Sequence, residues 1–131
     1  MKNKEKKIIL IAEDEVATLT VLADKLRDQG YEVLKAEDGE VALQKALNAH
    51  PDLILLDIVM PKQDGIKTLE KLRQDKWGKD ANVMLLSNLN DSASLAQAVI
   101  FGVKDYLVKS DWSLDEVVKK IEEKLARNVK F

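Results

Sequence analysis

With 131 residues, 46% of them hydrophobic, the chain is long enough for one domain with a single core and too short for two ordinary ones. Charged residues make up 34%, but their signs nearly cancel to a net charge of -2, which argues against a nucleic-acid binder with its strongly basic face. The absence of cysteine excludes a disulfide framework, a thiol nucleophile and a cysteine-type zinc site.

Met1 to Lys7 is lysine-rich and reads as a solvated tail. The apolar run that follows, Ile8 to Ala12, is a buried-strand candidate that ends in Glu13-Asp14-Glu15. It is too short for a secretory segment or a membrane span, so a cytoplasmic location is expected. From Val16 the spacing turns helical, with Val16, Leu19, Ala23 and Leu26 on one face, Leu22 flanking it, and Gly30 as a stop. Tyr31 to Ala36 alternates as a short strand. Asp38-Gly39 opens a helix carrying Val41, Ala42, Ala46 and Ala49, which His50-Pro51 ends. His50 reads as a turn residue.

Leu53-Ile54-Leu55-Leu56 is a continuous aliphatic run leading straight into Asp57, and Pro61 follows soon after. Such a run is the pattern of a strand buried on both faces in the middle of a parallel sheet. A carboxylate at its end needs partners, because an unpaired buried charge is costly. After a loop to Gly65 comes a helix with Ile66, Leu69 and Leu72, then a polar loop from Asp75 to Asn82 that Trp77 is expected to cover. Val83 to Leu86 is another buried strand, ending in Ser87. Asp91 is placed to cap a helix with Leu95, Ala98 and Val99 that stops at Gly102. Asp105 to Val108 is a last short strand before Lys109. Ser113 and Glu116 form a capping box, and Trp112 with Val117 a hydrophobic staple, for a final helix with Leu114, Val117, Val118, Ile121 and Leu125.

Five strands alternating with five helices, with no internal repeat, predict an α/β fold: a parallel sheet with helices on both faces. Every strand-to-helix loop of such a sheet opens on the same edge. Glu13, Asp14, Asp57, Ser87 and Lys109 therefore converge, although they are far apart in sequence. Three carboxylates crowd together only if a cation neutralises them or some take up protons. Oxygen ligands without His or Cys favour a hard ion, and a site with room for water and phosphate suits Mg²⁺.

At these residues the chain resembles the receiver domain of two-component response regulators, from Lys7 to about Leu125. The resemblance rests on Glu13-Asp14-Glu15, Asp57 in Leu-Leu-Asp-x-x-Met-Pro, Asp64-Gly65, Ser87, and Tyr106 three residues before Lys109. It implies a flavodoxin-like doubly wound (βα)5 fold of strand order 2-1-3-4-5, one domain over 1–131 with its core at about 7–127. It also implies that Asp57 accepts a phosphoryl group from a phosphohistidine. Asp14, Asp57 and the backbone carbonyl of Val59 would hold Mg²⁺ (or Mn²⁺), with Glu13 acting through a water. Lys109 would pair with the phosphoryl oxygens, Ser87 would donate to them, and Tyr106 would turn inward. The expected output is a changed surface around the fourth helix, fifth strand and fifth helix.

The partners so implied are a sensor histidine kinase or phosphotransfer protein, an unidentified downstream protein and a second copy in a phosphorylation-dependent homodimer. Neither direct nucleic-acid binding nor membrane association is expected. Too few residues follow the last helix for an output domain, so a stand-alone or excised receiver is expected. Two departures stand out: Ser110 follows Lys109 where the family commonly has proline, and Glu13 replaces the commoner Asp. A trans Lys109–Ser110 peptide is expected, since cis before a non-proline residue costs about 2.5–4 kcal/mol. The resemblance also implies that Val59 and Leu89 would border the water's approach to the phosphoryl group; neither can hydrogen-bond or orient a water, and Asn88 would narrow the entrance further, which predicts slow self-dephosphorylation. Two other functions fit the same scaffold: a metal-dependent phosphatase or hydrolase, and a phosphorylation-independent binding module.

Overall fold

The computed structural model describes residues 6–60, 62–87, 92–109 and 113–127, with the backbone alone for Ser87 and Arg127. In chain order the elements are β1 (Ile8–Ala12), α1 (Val16–Asp28), β2 (Glu32–Ala36), α2 (Gly39–Ala49), β3 (Leu53–Asp57), α3 (Gly65–Arg73), a single 3-10 turn (Gly78–Asp80), β4 (Val83–Ser87), α4 (Ser92–Ile100), β5 (Asp105–Val108) and α5 (Leu114–Arg127). All pairings are parallel and the strand order is β2-β1-β3-β4-β5, the doubly wound arrangement that the alternation and the resemblance predict.

Strand periodicity divides the core into two layers. Ile9 and Ile11 of β1, Leu53 and Leu55 of β3, and Met84 and Leu86 of β4 pack with Leu22, Leu26, Val117 and Ile121 of α1 and α5. The intervening residues Leu10, Ile54, Leu56, Val83 and Leu85 face the other way, onto Ala42, Ala46, Leu69, Leu72 and Ala98 of α2, α3 and α4. All five residues of β3 are buried, as expected of a central parallel strand. Because the chain steps from β1 out to β2 and then crosses back to β3, the direction of winding reverses between β1 and β3. A crevice opens there at the carboxyl ends of the strands, the place where open α/β sheets bind ligands.

The helix ends follow local rules. Asp38 caps α2 by accepting from the Val41 amide at 2.9 Å, and Asp64 caps α3 by accepting from Lys67 at 2.8 Å. Ser113 and Glu116 make the reciprocal capping box at the start of α5, at 2.9 and 3.3 Å. Gly30 and Gly102 follow α1 and α4 with φ of 98° and 84°, and His50 ends α2 at φ 49°. His50 does more than turn the chain: its ring stacks on Trp77 with centroids 4.3 Å apart.

Two burial expectations fail. Val16 is 58% exposed, while Leu22, read as a flank, is fully buried. Val16 opens α1 at the carboxyl edge, where the sheet beneath it has ended. Val99 is 67% exposed, because burying Ala98 turns the next residue about 100° away from the core. The Asp91 cap, the Trp112 staple and the Lys109–Ser110 peptide lie outside the described residues.

Candidate functional site

The carboxyl edge of the sheet gathers four of the side chains that the sequence singles out. Glu13 and Asp14 follow the last residue of β1, Asp57 is the last residue of β3, and Lys109 follows β5 directly. Glu13 and Asp57 are 0% and 2% exposed, so both carboxylates lie out of bulk water. Each of the three acids offers one oxygen, and these lie within 4.8 Å of one another.

Lys109 reaches across the crevice into this group. Its ammonium donates to Asp57 Oδ2 at 2.7 Å and lies 3.0 Å from Glu13 Oε1. The second Asp57 oxygen, Oδ1, accepts from the backbone amide of Val59 at 3.1 Å. Glu13 Oε2 accepts from the Glu15 amide at 3.0 Å, at the entry to α1. Glu13 Oε1 is close enough to Lys109 for an ion pair but off the direction a hydrogen bond needs, and it is buried without one. A buried carboxylate oxygen held by an ion pair alone still has room for a further donor or cation.

The electrostatics follow from this packing. Burial pushes the Asp57 pKa up from 3.8 to about 6; the Lys109 hydrogen bond opposes the rise and the neighbouring Glu13 charge adds to it. For Lys109, burial alone would lower the pKa, but Asp57 and Glu13 outweigh it and raise it. The crevice thus sets three acids against one lysine. An all-oxygen donor set from three clustered acids fits a hard divalent cation.

The loop after β3 is held tightly, in a way the sequence did not reveal. A Cβ on Gly65 would overlap the carbonyl oxygen of Asp57, so glycine lets α3 begin directly against the end of β3. Gln63 is buried and its amide donates to Gly39 O at 3.3 Å and to Thr68 Oγ1 at 3.0 Å, tying this loop to the start of α2. A Cβ on Gly39 would collide with the Gln63 carbonyl. The Gly39 at the mouth of α2 is the one sequence signal of this clamp.

Tyr106 is not part of the cluster. It is 48% exposed and lines a small cleft with Leu95, Ala98 and Val99 between β5 and α4. Ser87 ends β4 in register with Val108, which places its backbone on the same edge; its side chain, with Asn88 and Leu89, lies outside the described residues. Val59, beside Asp57, is 56% exposed.

The sequence profile of the response regulator receiver domain matches residues 9–122. The chain belongs to that family. Among curated relatives of this receiver is the alkaline phosphatase synthesis transcriptional regulatory protein PhoP of Bacillus subtilis, 38% identical over 103 residues, covering 79% of this chain and 42% of that protein. The receiver thus spans less than half the length of that relative. A CheY-like receiver domain protein from Methanospirillum hungatei superposes with a TM-score of 0.85 at 28% identity, covering 94% of this chain and 96% of that one. The receiver domain of a sensor histidine kinase from Pseudomonas aeruginosa superposes with a TM-score of 0.82 at 25% identity, covering 93% and 99%; that structure holds a magnesium ion in its active-site cleft. Among the described residues of this receiver, no helix is long and apolar enough to cross a membrane.

Proposed function

We propose that Asp57 is the phosphoacceptor of this receiver and takes its phosphoryl group from the phosphohistidine of a sensor kinase or a phosphotransfer protein. The observation that carries the reading is the Lys109 ammonium, 2.7 Å from Asp57 Oδ2 in a buried acidic crevice. It is a positive charge fixed beside the oxygen that would attack, so little reorganisation is needed as charge moves onto the phosphoryl group. With its pKa near 6, Asp57 is ionised at neutral pH and able to act as a nucleophile.

An Asp57 oxygen forms the new P–O bond as the P–N bond to the donor imidazole breaks, and that bond's electron pair returns to the ring nitrogen. Lys109 then exchanges its carboxylate contact for the phosphoryl oxygens. Asp14, Asp57 and the Val59 carbonyl would hold Mg²⁺ (or Mn²⁺), with Glu13 acting through a water. The bound ion supplies neutralisation of charge on the phosphoryl oxygens. The clustered all-oxygen donors, the Glu13 Oε1 that makes no hydrogen bond and the magnesium in the Pseudomonas neighbour support this assignment.

Ser87 would donate to the new phosphate, and the half-exposed Tyr106 would turn into the cleft beside Leu95 and Val99, which changes the α4-β5-α5 surface. A downstream protein, or a second copy of the domain, would read that surface; direct nucleic-acid or membrane binding forms no part of this reading. Residues 1–131, with a core of about 7–127, act as one receiver unit in the cytoplasm, as a phosphoacceptor rather than a turnover enzyme.

Intact-mass measurement after incubation with Mg²⁺ and acetyl phosphate tests the assignment. The wild type should gain one phosphoryl group and Asp57→Asn none. A wild type that stays unmodified, or an Asn variant modified to the same extent, would overturn it.

A further inference from the structure

The opposite edge of the sheet has a cleft of about 450 Å³ whose charge is the reverse of the acidic crevice. Its walls come from the end of α3, the 3-10 turn, the start of β4, the end of α4 and the side of α5. Arg73, Lys79, Lys104 and Lys124 bring four cations to it, against Asp80 as the one acid lining it among the described residues. Asp105 stands beside the cleft and pairs with Lys124 at 2.5 Å. Counting both acids, the cleft keeps a formal excess of two positive charges in a chain whose net charge is -2.

Cations at this edge have an ordinary role, because helices end here and their carbonyl ends are negative. Arg73 fills that role thoroughly. Its Nε donates to Phe101 O at 2.7 Å, and Nη1 donates to Gly78 O and Ala81 O, both at 2.8 Å. Three carbonyls from two separate loops therefore hold one guanidinium in place. These bonds use Nε and Nη1, leaving Nη2 on the Gly102 side, where a Cβ on that glycine would lie 4.0 Å away. Lys79 and Lys104 are exposed and have no acidic partner within ion-pair distance among the described residues. Phe101 adds a half-buried ring to an otherwise polar wall.

We propose that this cleft is a binding site for a small molecule carrying condensed phosphates. The pinned Arg73 contributes a fixed donor that loses no side-chain freedom on binding, and Lys79 and Lys104 are mobile ammoniums that close on the outer oxygens. The volume is in the range of ordinary small-ligand pockets and exceeds the need of one phosphate group. Phe101 offers a surface on which a ring attached to the phosphates can lie. The site is at the amino edge of the strands, so a ligand there leaves the Asp57 crevice open.

The test is amide NMR titration of the full chain in metal-free buffer at low ionic strength. A chelator is avoided because it is itself a polyanion, and without metal the acidic crevice repels anions. Pyrophosphate, ATP and adenosine are the three probes. Pyrophosphate and ATP should shift the amides of Lys79, Ala81, Gly102 and Lys104 saturably, and adenosine should not. The double variant Lys79→Glu/Lys104→Glu should weaken binding at least tenfold while its unfolding midpoint and the Asp57-edge spectrum stay as in the wild type. Absence of saturable shifts at these amides, or shifts that survive unchanged in the double variant, overturns the proposal.

Discussion

The two edges of this one sheet are built on opposite terms. At the amino edge, Arg73 at the end of α3 meets three loop carbonyls within 2.8 Å, so the backbone of both loops is satisfied by one side chain of the fold. At the carboxyl edge, three acids share one lysine and Glu13 Oε1 is buried without a hydrogen bond. Satisfied polar groups stabilise a fold, whereas groups left short of partners reduce its stability and favour whatever ligand completes them. The loop-binding network around Arg73 therefore stabilises one edge, the crowded acids strain the other, and the apolar β3 strand links the two.

The contrast predicts mutational effects of opposite sign. Arg73→Ala strands three carbonyls and opens the α3–β4 loop, so it should destabilise the protein by about 2–4 kcal/mol, read as a lower midpoint in urea. Asp57→Asn removes a crowded buried charge with little change of shape. In metal-free buffer at pH 7 it should raise stability by about 1–2 kcal/mol. A tolerant Arg73 variant, or an Asn variant less stable than the wild type, would mean that the edges do not differ as the geometry says.

The pH dependence sharpens the same point. With a pKa of about 6 in the fold against the ordinary 3.8 of an unfolded chain, Asp57 holds a proton in the folded state that the unfolded chain has already lost. Between those values the folded state binds more protons, so the stabilising contribution is complete below pH of about 4 and disappears as pH rises to about 6. Lys109, its pKa raised, stays charged across this window and adds no slope. Denaturation midpoints measured without metal should therefore fall over that range more steeply in the wild type than in Asp57→Asn. Parallel profiles for the two would contradict the burial of Asp57.

How much of this the sequence carried depended on whether a feature was local. Apolar runs ending in acid located β1 and β3, because burial on both faces leaves an unbroken aliphatic pattern, and the order of elements then brought Glu13, Asp14, Asp57 and Lys109 to one edge. The capping box at Ser113 was legible for the same reason, since both partners lie within one turn. Gln63 and Arg73 gave no such signal. A glutamine in a loop and an arginine in the last turn of a helix look like solvated residues, and their carbonyl acceptors are fixed only when distant loops pack. Val16 and Val99 lie outside the core that their spacing suggests, because helical periodicity does not say where the sheet beneath the helix ends or which flank is covered.

The smallest predicted effect concerns the lifetime of a phosphorylated Asp57. Loss of the phosphoryl group requires water to approach in line, from the side opposite the carboxylate oxygen. Val59 stands beside Asp57 and is 56% exposed, so it lies at the surface of the crevice rather than within its packing. An isopropyl group there can neither donate to nor accept from a water, and it adds apolar bulk along the path. Asparagine at this position brings a donor and an acceptor without adding a formal charge, and can orient a water that valine only excludes. Orientation of one reactant contributes to rate even when the chemistry is unchanged. Leu89, the other residue expected to border the path, lies outside the described residues, so the single change Val59→Asn is the sharper test. It should speed phosphate release about threefold, equivalent to ~0.7 kcal/mol in the barrier, while the extent of Asp57 phosphorylation and the unfolding midpoint stay near wild type. A release rate equal to that of the wild type would show that access past Val59 does not limit hydrolysis.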